Sequence, residues 1–172
     1  MARYATSVVS QTAQLAGQNS GTTVNGYIGY WGAGSSAGFR LRRLQIGMLT
    51  TTAVVPTSQQ FSVAVHRQTV APAGTGLAAA VLGQALEIWT PTDPTVGMIV
   101  TNAATIGTTA PTVTATPLFT IVGNTQSFFD VPADYIEEIV CNSGTANGIA
   151  FVNVGNTLPS GHFIKLTAEI EV

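Results

Sequence analysis

Residues 162–172, HFIKLTAEIEV, alternate strictly between apolar and polar side chains from Ile164 onward. An extended chain places every second side chain on the same face, so this stretch has one apolar face and one polar face. The apolar face carries Ile164, Leu166, Ala168, Ile170 and Val172. The pattern predicts a half-buried β-strand, and the same alternation around Phe61, Val63 and Val65 predicts another.

Working outward from this strand, the chain contains further short β-type runs separated by turn residues. The Asn25-Gly26 pair, and Asn147-Gly148 before Ile149, have the composition of two-residue hairpin turns. Nine strands are predicted, at 3–9, 22–31, 39–49, 60–66, 117–122, 126–130, 136–141, 148–154 and 162–172. This number and spacing predict one all-β domain over 1–172, an antiparallel sandwich, a jelly roll or a small barrel.

The stretch 69–117 is the exception to this spacing. Five prolines interrupt it, among small and hydroxyl residues. A loop this long is uncommon in a compact domain, so we expect it to hold short elements or to form an arm that contacts other molecules. Within it, 77–86 could form a short helix, Glu87-Ile88-Trp89 an edge strand, and 105–116 an extended arm or long surface loop.

The composition excludes several classes of protein. Only 8% of residues are charged, and 6 Lys+Arg against 8 Asp+Glu give a net charge of -2. Such a chain has no basic surplus for a phosphate backbone, so nucleic-acid binding is not expected. Cys141 is the single cysteine, which excludes an internal disulfide and predicts a buried thiol. No apolar run is long enough to predict a membrane span or an export signal.

We find no sequence pattern that predicts catalysis, a metal or a cofactor. Gly34-Ser35-Ser36-Ala37-Gly38 matches the G-x-S-x-G motif of hydrolases, but a strand pattern follows it where that motif needs a helix. His66 and His162 have no other ligands at zinc spacing, which favours hydrogen-bonded histidines on a sheet surface or at a subunit contact. Asp130 and Asp134 are too few for a calcium site, which favours turn capping. We therefore predict a protein that is not an enzyme.

Three of the six basic residues fall in four positions, at Arg40, Arg42 and Arg43. On a regular strand Arg40 and Arg42 share a face and Arg43 points the other way, so at least one should meet the domain interior or a neighbour. Three interpretations are open. The arginines could pair with Glu137 and Glu138, dock on an acidic protein surface through bidentate bonds, or bind phosphate weakly.

The chain also lacks the usual devices that keep a β protein monomeric, because it has one lysine and a small net charge. Burial in an assembly would supply that protection. Large apolar residues in predicted loops are candidates for subunit contacts, although core packing is an alternative for the two tryptophans. These candidates are Trp31, Trp89, Met98 and Ile99.

The strand at 39–44, FRLRRL, leads through PTSQQ at 56–60 into FSVAVHRQT at 61–69 and then PAGTG at 72–76. Over roughly 39–95 the chain resembles the head decoration or minor capsid proteins of tailed bacteriophages. The resemblance implies a β-sandwich or jelly roll on the capsid surface of the virion, made in the host cytoplasm. It further implies a homo-oligomer, with a trimer favoured, that binds the major capsid protein and reinforces the head.

Two other classes remain open at this point. A receptor- or carbohydrate-binding module of a tail fibre or spike would need a solvent-facing aromatic cluster, for which Tyr27, Tyr30 and Trp31 are the candidates. A single-jelly-roll coat protein that itself forms the shell is the third class. Coat proteins that package genomes commonly carry a basic arm, and before residue 40 this chain has only Arg3.

Overall fold

A computed structural model describes residues 3–9, 27–51, 55, 57–70, 87–88, 99–102, 112–131, 133–136 and 139–172. These residues form twelve strands and one helical turn, α1 (Ala133–Ile136). The first six strands are β1 (Arg3–Val9), β2 (Tyr27–Gly32), β3 (Phe39–Thr50), β4 (Gln60–Val70), β5 (Glu87–Ile88) and β6 (Ile99–Asn102). The others are β7 (Thr112–Val113), β8 (Phe119–Asn124), β9 (Phe129–Val131), β10 (Val140–Cys141), β11 (Gly148–Asn153) and β12 (His162–Glu171).

The strands form two antiparallel sheets that pack together, which confirms the predicted all-β sandwich. Sheet A has the order β10-β3-β12-β1-β5 with β9 also on β3, and sheet B has the order β6-β2-β11-β4-β7 with β8 also on β4. The pairing is nested, because β1 pairs with β12, β2 with β11, β3 with β9 and β10, and β4 with β7 and β8. This nesting is the connectivity of a jelly roll.

The main core lies between the inner faces of the two sheets. The apolar face of β12 contributes Ile164, Leu166, Ala168 and Ile170, all at most 1% exposed, as the alternation predicts. Sheet B contributes Trp31 and Phe151, whose rings meet edge to face with centroids 4.5 Å apart. Burying each side chain of this size stabilises the fold by roughly 1.5–3 kcal/mol relative to exposure. The inner faces therefore hold the sandwich together.

Sheet B has a second buried face, which points away from this core. Every residue of β11 is buried, so both sides of that strand are covered. Tyr30, Ala150 and Val152 form a separate apolar cluster there, with Val113 and Val154 packed against it. Around β2 and β11 sheet B is thus buried on both sides, whereas the outer face of sheet A carries the charged residues Arg43 and Lys165.

The predicted strands fall close to the observed ones, except at 126–130 and 136–141. Of the first, only Phe129 and Asp130 lie in a strand, β9. The predicted strand 136–141 is mostly wrong, because α1 ends at Ile136 and only Val140–Cys141 pairs, against β3. The turn predicted at Asn147-Gly148 lies earlier, where the Asn147 N–H donates to the Gly144 carbonyl at 2.9 Å. Gly144 has a φ of 119°, which glycine adopts without a steric penalty. This turn joins strands of different sheets, so it is not a hairpin.

The stretch 69–117 contains short elements, as expected. Glu87–Ile88 pairs with β1 as an edge strand, and Ile99–Asn102 pairs with β2, so the stretch extends both sheets at the same side of the sandwich. Thr112–Val113 pairs with β4, so the described end of the predicted 105–116 arm belongs to sheet B. The predicted helix at 77–86 and the hairpin at Asn25-Gly26 lie outside the described residues.

Candidate protein interface

The three arginines of β3 all lie at the surface, and the reason is a β-bulge. In the pairing of β12 with β3, Glu169 faces Arg43 and the next residue, Ile170, faces Leu41, so Arg42 is the extra residue. A bulge resets the alternation of a strand. Leu41 and Leu44 are buried, while Arg40 and Arg43 are exposed and Arg42 is half-buried. The expectation that one arginine enters the interior is wrong for this reason, and its alternative, contact with a neighbour, stays a prediction.

Two of these arginines are already paired within the chain. Arg43 donates to Asp130, with Nη2 to Oδ2 at 2.6 Å and Nε to both carboxylate oxygens at 3.2 Å, and its Nη1 lies 3.3 Å from Oε1 of Glu169. Arg42 donates through Nε to Glu171. The expected partners Glu137 and Glu138 lie outside the described residues. Asp130 is in β9 rather than capping a turn, so that interpretation is wrong.

The ion pairs shift the pKa values of the groups that form them. The hydrogen bond from Arg43 lowers the pKa of Asp130, and the hydrogen bond from Arg42 lowers the pKa of Glu171. The hydrogen bond to Asp130 raises the pKa of Arg43 in turn. Charges satisfied in this way have less to offer a partner than an unpaired charge.

Arg40 makes no ion pair with any carboxylate of the described residues, and it borders a cleft of about 320 Å³. Polar side chains of Ser36, Asn142 and Ser143 line the same cleft. Ser36 lies in the connection from β2 to β3, which joins the two sheets and leads into a strand, so it is not a nucleophile elbow. Glu171 also lines the cleft and lies opposite Arg40 in the pairing of β12 with β3, but its hydrogen bond is to Arg42. The cleft therefore presents a guanidinium with no ion pair to the described carboxylates, beside hydroxyl and amide groups and one carboxylate.

A second groove, of about 280 Å³, lies on the outer face of sheet A. Phe128 is 63% exposed and its ring lies over Gly47, where an added Cβ would be 3.4 Å from Cδ2 of the ring. Leu49, 45% exposed, and Lys165 line the same groove. The adjacent Phe129 packs edge to face on Phe61 at the sandwich margin. Sequence patterns do not show which of these two neighbouring phenylalanines is exposed.

Two of the aromatic residues proposed for subunit or carbohydrate contacts, Tyr30 and Trp31, do not reach the surface. Trp31 and Tyr30 are both 0% exposed, on opposite faces of sheet B, so Trp31 is a core residue. Ile99 begins β6 and faces Gly32 in the pairing with β2. Trp89 and Met98 lie outside the described residues, as does the side chain of Tyr27. The solvent-facing aromatic cluster that a carbohydrate site needs is therefore not formed by Tyr30 and Trp31.

The buried polar groups have structural surroundings rather than a catalytic arrangement. His162 accepts from the Thr57 N–H at 3.3 Å, and His66 Nδ1 lies 2.8 Å from the Thr114 carbonyl. Both rings are 1% exposed, so the expected sheet-surface position is wrong although the hydrogen bonds are present. Within the described ranges, no three His, Cys, Asp or Glu residues lie close enough to hold a metal ion.

Cys141 is buried, as predicted, and burial raises the pKa of its thiol to about 11. Arg67 reaches from sheet B to sheet A beside it, where Nη1 donates to the Val140 carbonyl at 2.6 Å. A thiol held protonated in this way is a poor nucleophile. Among the described helical residues, none belongs to a helix of the length and hydropathy needed to cross a bilayer.

Comparison with known proteins adds no relative. No protein-family model matches the chain, and no curated protein matches it in sequence.

Proposed function

We propose that the chain is a non-enzymatic structural protein of a virion, a decoration or cement protein that binds the major capsid protein and reinforces the head. In this proposal it acts at the capsid surface as a homo-oligomer. A jelly roll hosts many functions, so the fold alone carries no such role. The support for a decoration role therefore comes from the exposed surface of the domain.

The observation that carries the proposal is the exposed groove around Phe128. A phenylalanine that is 63% exposed beside Leu49 is expensive to leave in water, and aromatic anchors of this kind dominate the energy of protein interfaces. Lys165 at the groove, and Arg40 in the separate cleft at the other end of β3, would favour carboxylates on the partner's surface. The low charge of the chain, 8% of residues, fits a surface that is covered in its working state.

The direct test is co-sedimentation of the purified protein with undecorated capsids of the same virus. Phe128→Ala is expected to weaken binding by at least tenfold, since truncating an interface anchor costs roughly 2 kcal/mol or more. Val55→Ala is the matched control, because Val55 is 80% exposed and does not line the groove. Equal binding by the two variants, or no binding of the wild-type protein to capsids, would count against the proposal.

Arg40 provides a second, independent probe of the same proposal. Arg40→Gln is expected to weaken capsid binding more than Arg43→Gln, because Arg43 is already paired with Asp130 and Glu169. The loss is expected to shrink at high salt, as it should for an exposed ionic contact. If Arg43→Gln is the more damaging change, the available guanidinium of Arg40 is not the contact.

A second candidate function is a coat protein that forms the shell itself, and the nested jelly-roll pairing favours it. The isolated protein would then assemble into closed shells visible by electron microscopy. Shells formed without any other protein would replace the decoration role by the coat role. The carbohydrate-binding alternative has lost the aromatic residues Tyr30 and Trp31, which are both buried.

A further inference from the structure

Strand β8 is the longest strand at the margin of either sheet. It has six residues, against four in β6, three in β9, and two in each of β5, β7 and β10. On one side it pairs with β4 from Val65↔Phe119 to Gln60↔Asn124 without a register shift. No strand of the described residues pairs with its other side. Every second residue of β8 therefore directs its backbone N–H and carbonyl to an unpaired edge.

This edge has none of the features that normally keep strands from pairing with other molecules. Proteins protect such edges with lysine, proline, bulges or short strands. β8, with the sequence FTIVGN, contains no charge, no proline and no bulge in its pairing. The corresponding margin of sheet A differs, because β9 is short and its Asp130 is bound by Arg43.

The side chains of β8 are also incompletely covered. Val122 is 60% exposed on the outer face, and Thr120 on the same face is exposed. Phe119 and Ile121 pack against the main core, but both remain half-buried. A further strand laid along β8 would cover these side chains while it satisfied the backbone groups.

We propose that β8 is a self-association edge, at which the β8 strands of two copies of this chain pair antiparallel about a twofold axis at Ile121. Because the two strands run in opposite directions from Ile121, Phe119 lies opposite Gly123 of the second copy and Thr120 opposite Val122 of the second copy. The strand carries no charge, so it meets itself without repulsion. A twofold contact uses the edge of both copies at once, which closes the assembly as a dimer.

This inference is independent of the virion role, since it rests on β8 alone. The first experiment is the absolute mass of the purified protein by light scattering after size exclusion. The wild-type protein is expected to have twice the mass of the 17.7 kDa chain. Val122→Lys is expected to give the monomer mass, because lysine protects edge strands. Val55→Lys adds the same charge at an exposed valine elsewhere and is expected to remain a dimer.

A crosslinking experiment tests the register. In a Cys141→Ala background, Ile121→Cys is expected to form a disulfide-linked dimer under mild oxidation, because residues opposite each other have Cα atoms about 4.5–5.5 Å apart. Val70→Cys, at an exposed position in β4, is expected to stay monomeric on a denaturing gel.

Three results would overturn the inference. These are a wild-type monomer, a trimer, or a dimer whose mass is the same after Val122→Lys. Circular dichroism of Val122→Lys checks that the variant is folded, and Thr120→Lys repeats the test at the neighbouring exposed position. A wild-type trimer that still binds capsids would sink the twofold edge while leaving the proposed function standing.

Discussion

The two sheets of this sandwich differ in how they treat their outward faces. On the outer face of sheet A, Arg43, Lys165 and Glu169 are in contact with solvent. On the corresponding face of sheet B, Tyr30 and Val152 are buried at 0% exposure. Around β2 and β11 sheet B is buried on both faces, whereas β3 and β12 of sheet A are buried on one. The difference shows that a jelly roll can combine a surface sheet and an interior sheet in one domain, and the same kind of substitution should have unequal effects on them.

The largest expected effect comes from placing a charge on each outward face. Val152→Asp buries a carboxylate in sheet B with no partner, which costs several kcal/mol and abolishes folding or lowers stability by roughly 3–5 kcal/mol. Thr167→Asp makes the same change on the half-buried outer face of sheet A and is expected to cost about 1 kcal/mol or less. Urea unfolding of both variants measures the difference. Similar midpoints would mean that the two faces are equivalent.

Glycine substitutions sharpen the comparison at smaller scale. A Cβ at Gly148 in sheet B would lie 2.6 Å from the Trp31 carbonyl oxygen and 2.9 Å from the Tyr30 ring. Gly148→Ala is therefore expected to destabilise the protein by roughly 1–3 kcal/mol through overpacking.

Gly47→Ala is the matched change in sheet A, where the nearest atom is the Phe128 ring at 3.4 Å. It is expected to be neutral or to stabilise by up to about 1 kcal/mol, because alanine restricts the unfolded chain. Thermal unfolding distinguishes the pair. The interpretation of sheet B as tightly packed on both sides fails if Gly148→Ala is as harmless as Gly47→Ala.

The ion pairs of sheet A predict how stability depends on pH. The pKa of Glu171 in the folded protein is lowered by Arg42, below its ordinary value of 4.5. The contribution of the Arg42–Glu171 ion pair to folding stability is therefore complete above the ordinary pKa of Glu171. It is lost as the pH falls through the lowered pKa of the folded protein. Wild-type protein is expected to lose stability between about pH 5 and pH 2 more steeply than Arg42→Gln. Parallel curves from chemical unfolding at several pH values would contradict this.

The smallest expected effect concerns the hydroxyl of Tyr30. This group is buried with no hydrogen-bond partner at normal geometry, although Gln68 is adjacent, and burial raises the pKa of Tyr30 to about 12. Removing an unpartnered buried hydroxyl removes a desolvation cost, so Tyr30→Phe is expected to be neutral or to stabilise by about 1 kcal/mol. A loss of more than about 1 kcal/mol in urea unfolding would show that the hydroxyl is bonded.

Sheet A could be predicted from sequence because its strands alternate. The pattern of Ile164 to Ile170 identifies the buried face of β12 directly, and the structure confirms it. The alternation of Phe61, Val63 and Val65 identifies β4 of sheet B in the same way, but β2 of that sheet does not follow this rule. Tyr30 and Trp31 are neighbours on a strand, so alternation sends one of them to solvent, but both are buried because sheet B is covered on both sides.

The candidate interface was harder to predict than the fold. The FRLRRL sequence shows that arginines cluster, but not that a bulge at Arg42 turns all three outward. The partners of Arg43 lie 87 and 126 positions away, at Asp130 and Glu169. Such pairings depend on strand register across the whole sheet, which no local pattern specifies. Phe128 and Phe129 are adjacent phenylalanines with different environments. Phe129 begins β9 and packs on Phe61, whereas Phe128 precedes the strand and is exposed.

The nested pairing also determines when the protein can fold. β12 lies between β3 and β1, and β11 lies between β2 and β4, so the middle strand of each sheet leaves the ribosome after the strands on either side of it. Until then β1 is not joined to β3, nor β2 to β4, and completing each sheet requires pairing strands far apart in the sequence, which makes folding slow. A nascent chain in that state exposes uncharged strand edges to its neighbours. We expect synthesis in the cell to need either chaperone protection or low local concentration, and a ribosome stalled before β11 to carry an unfolded chain.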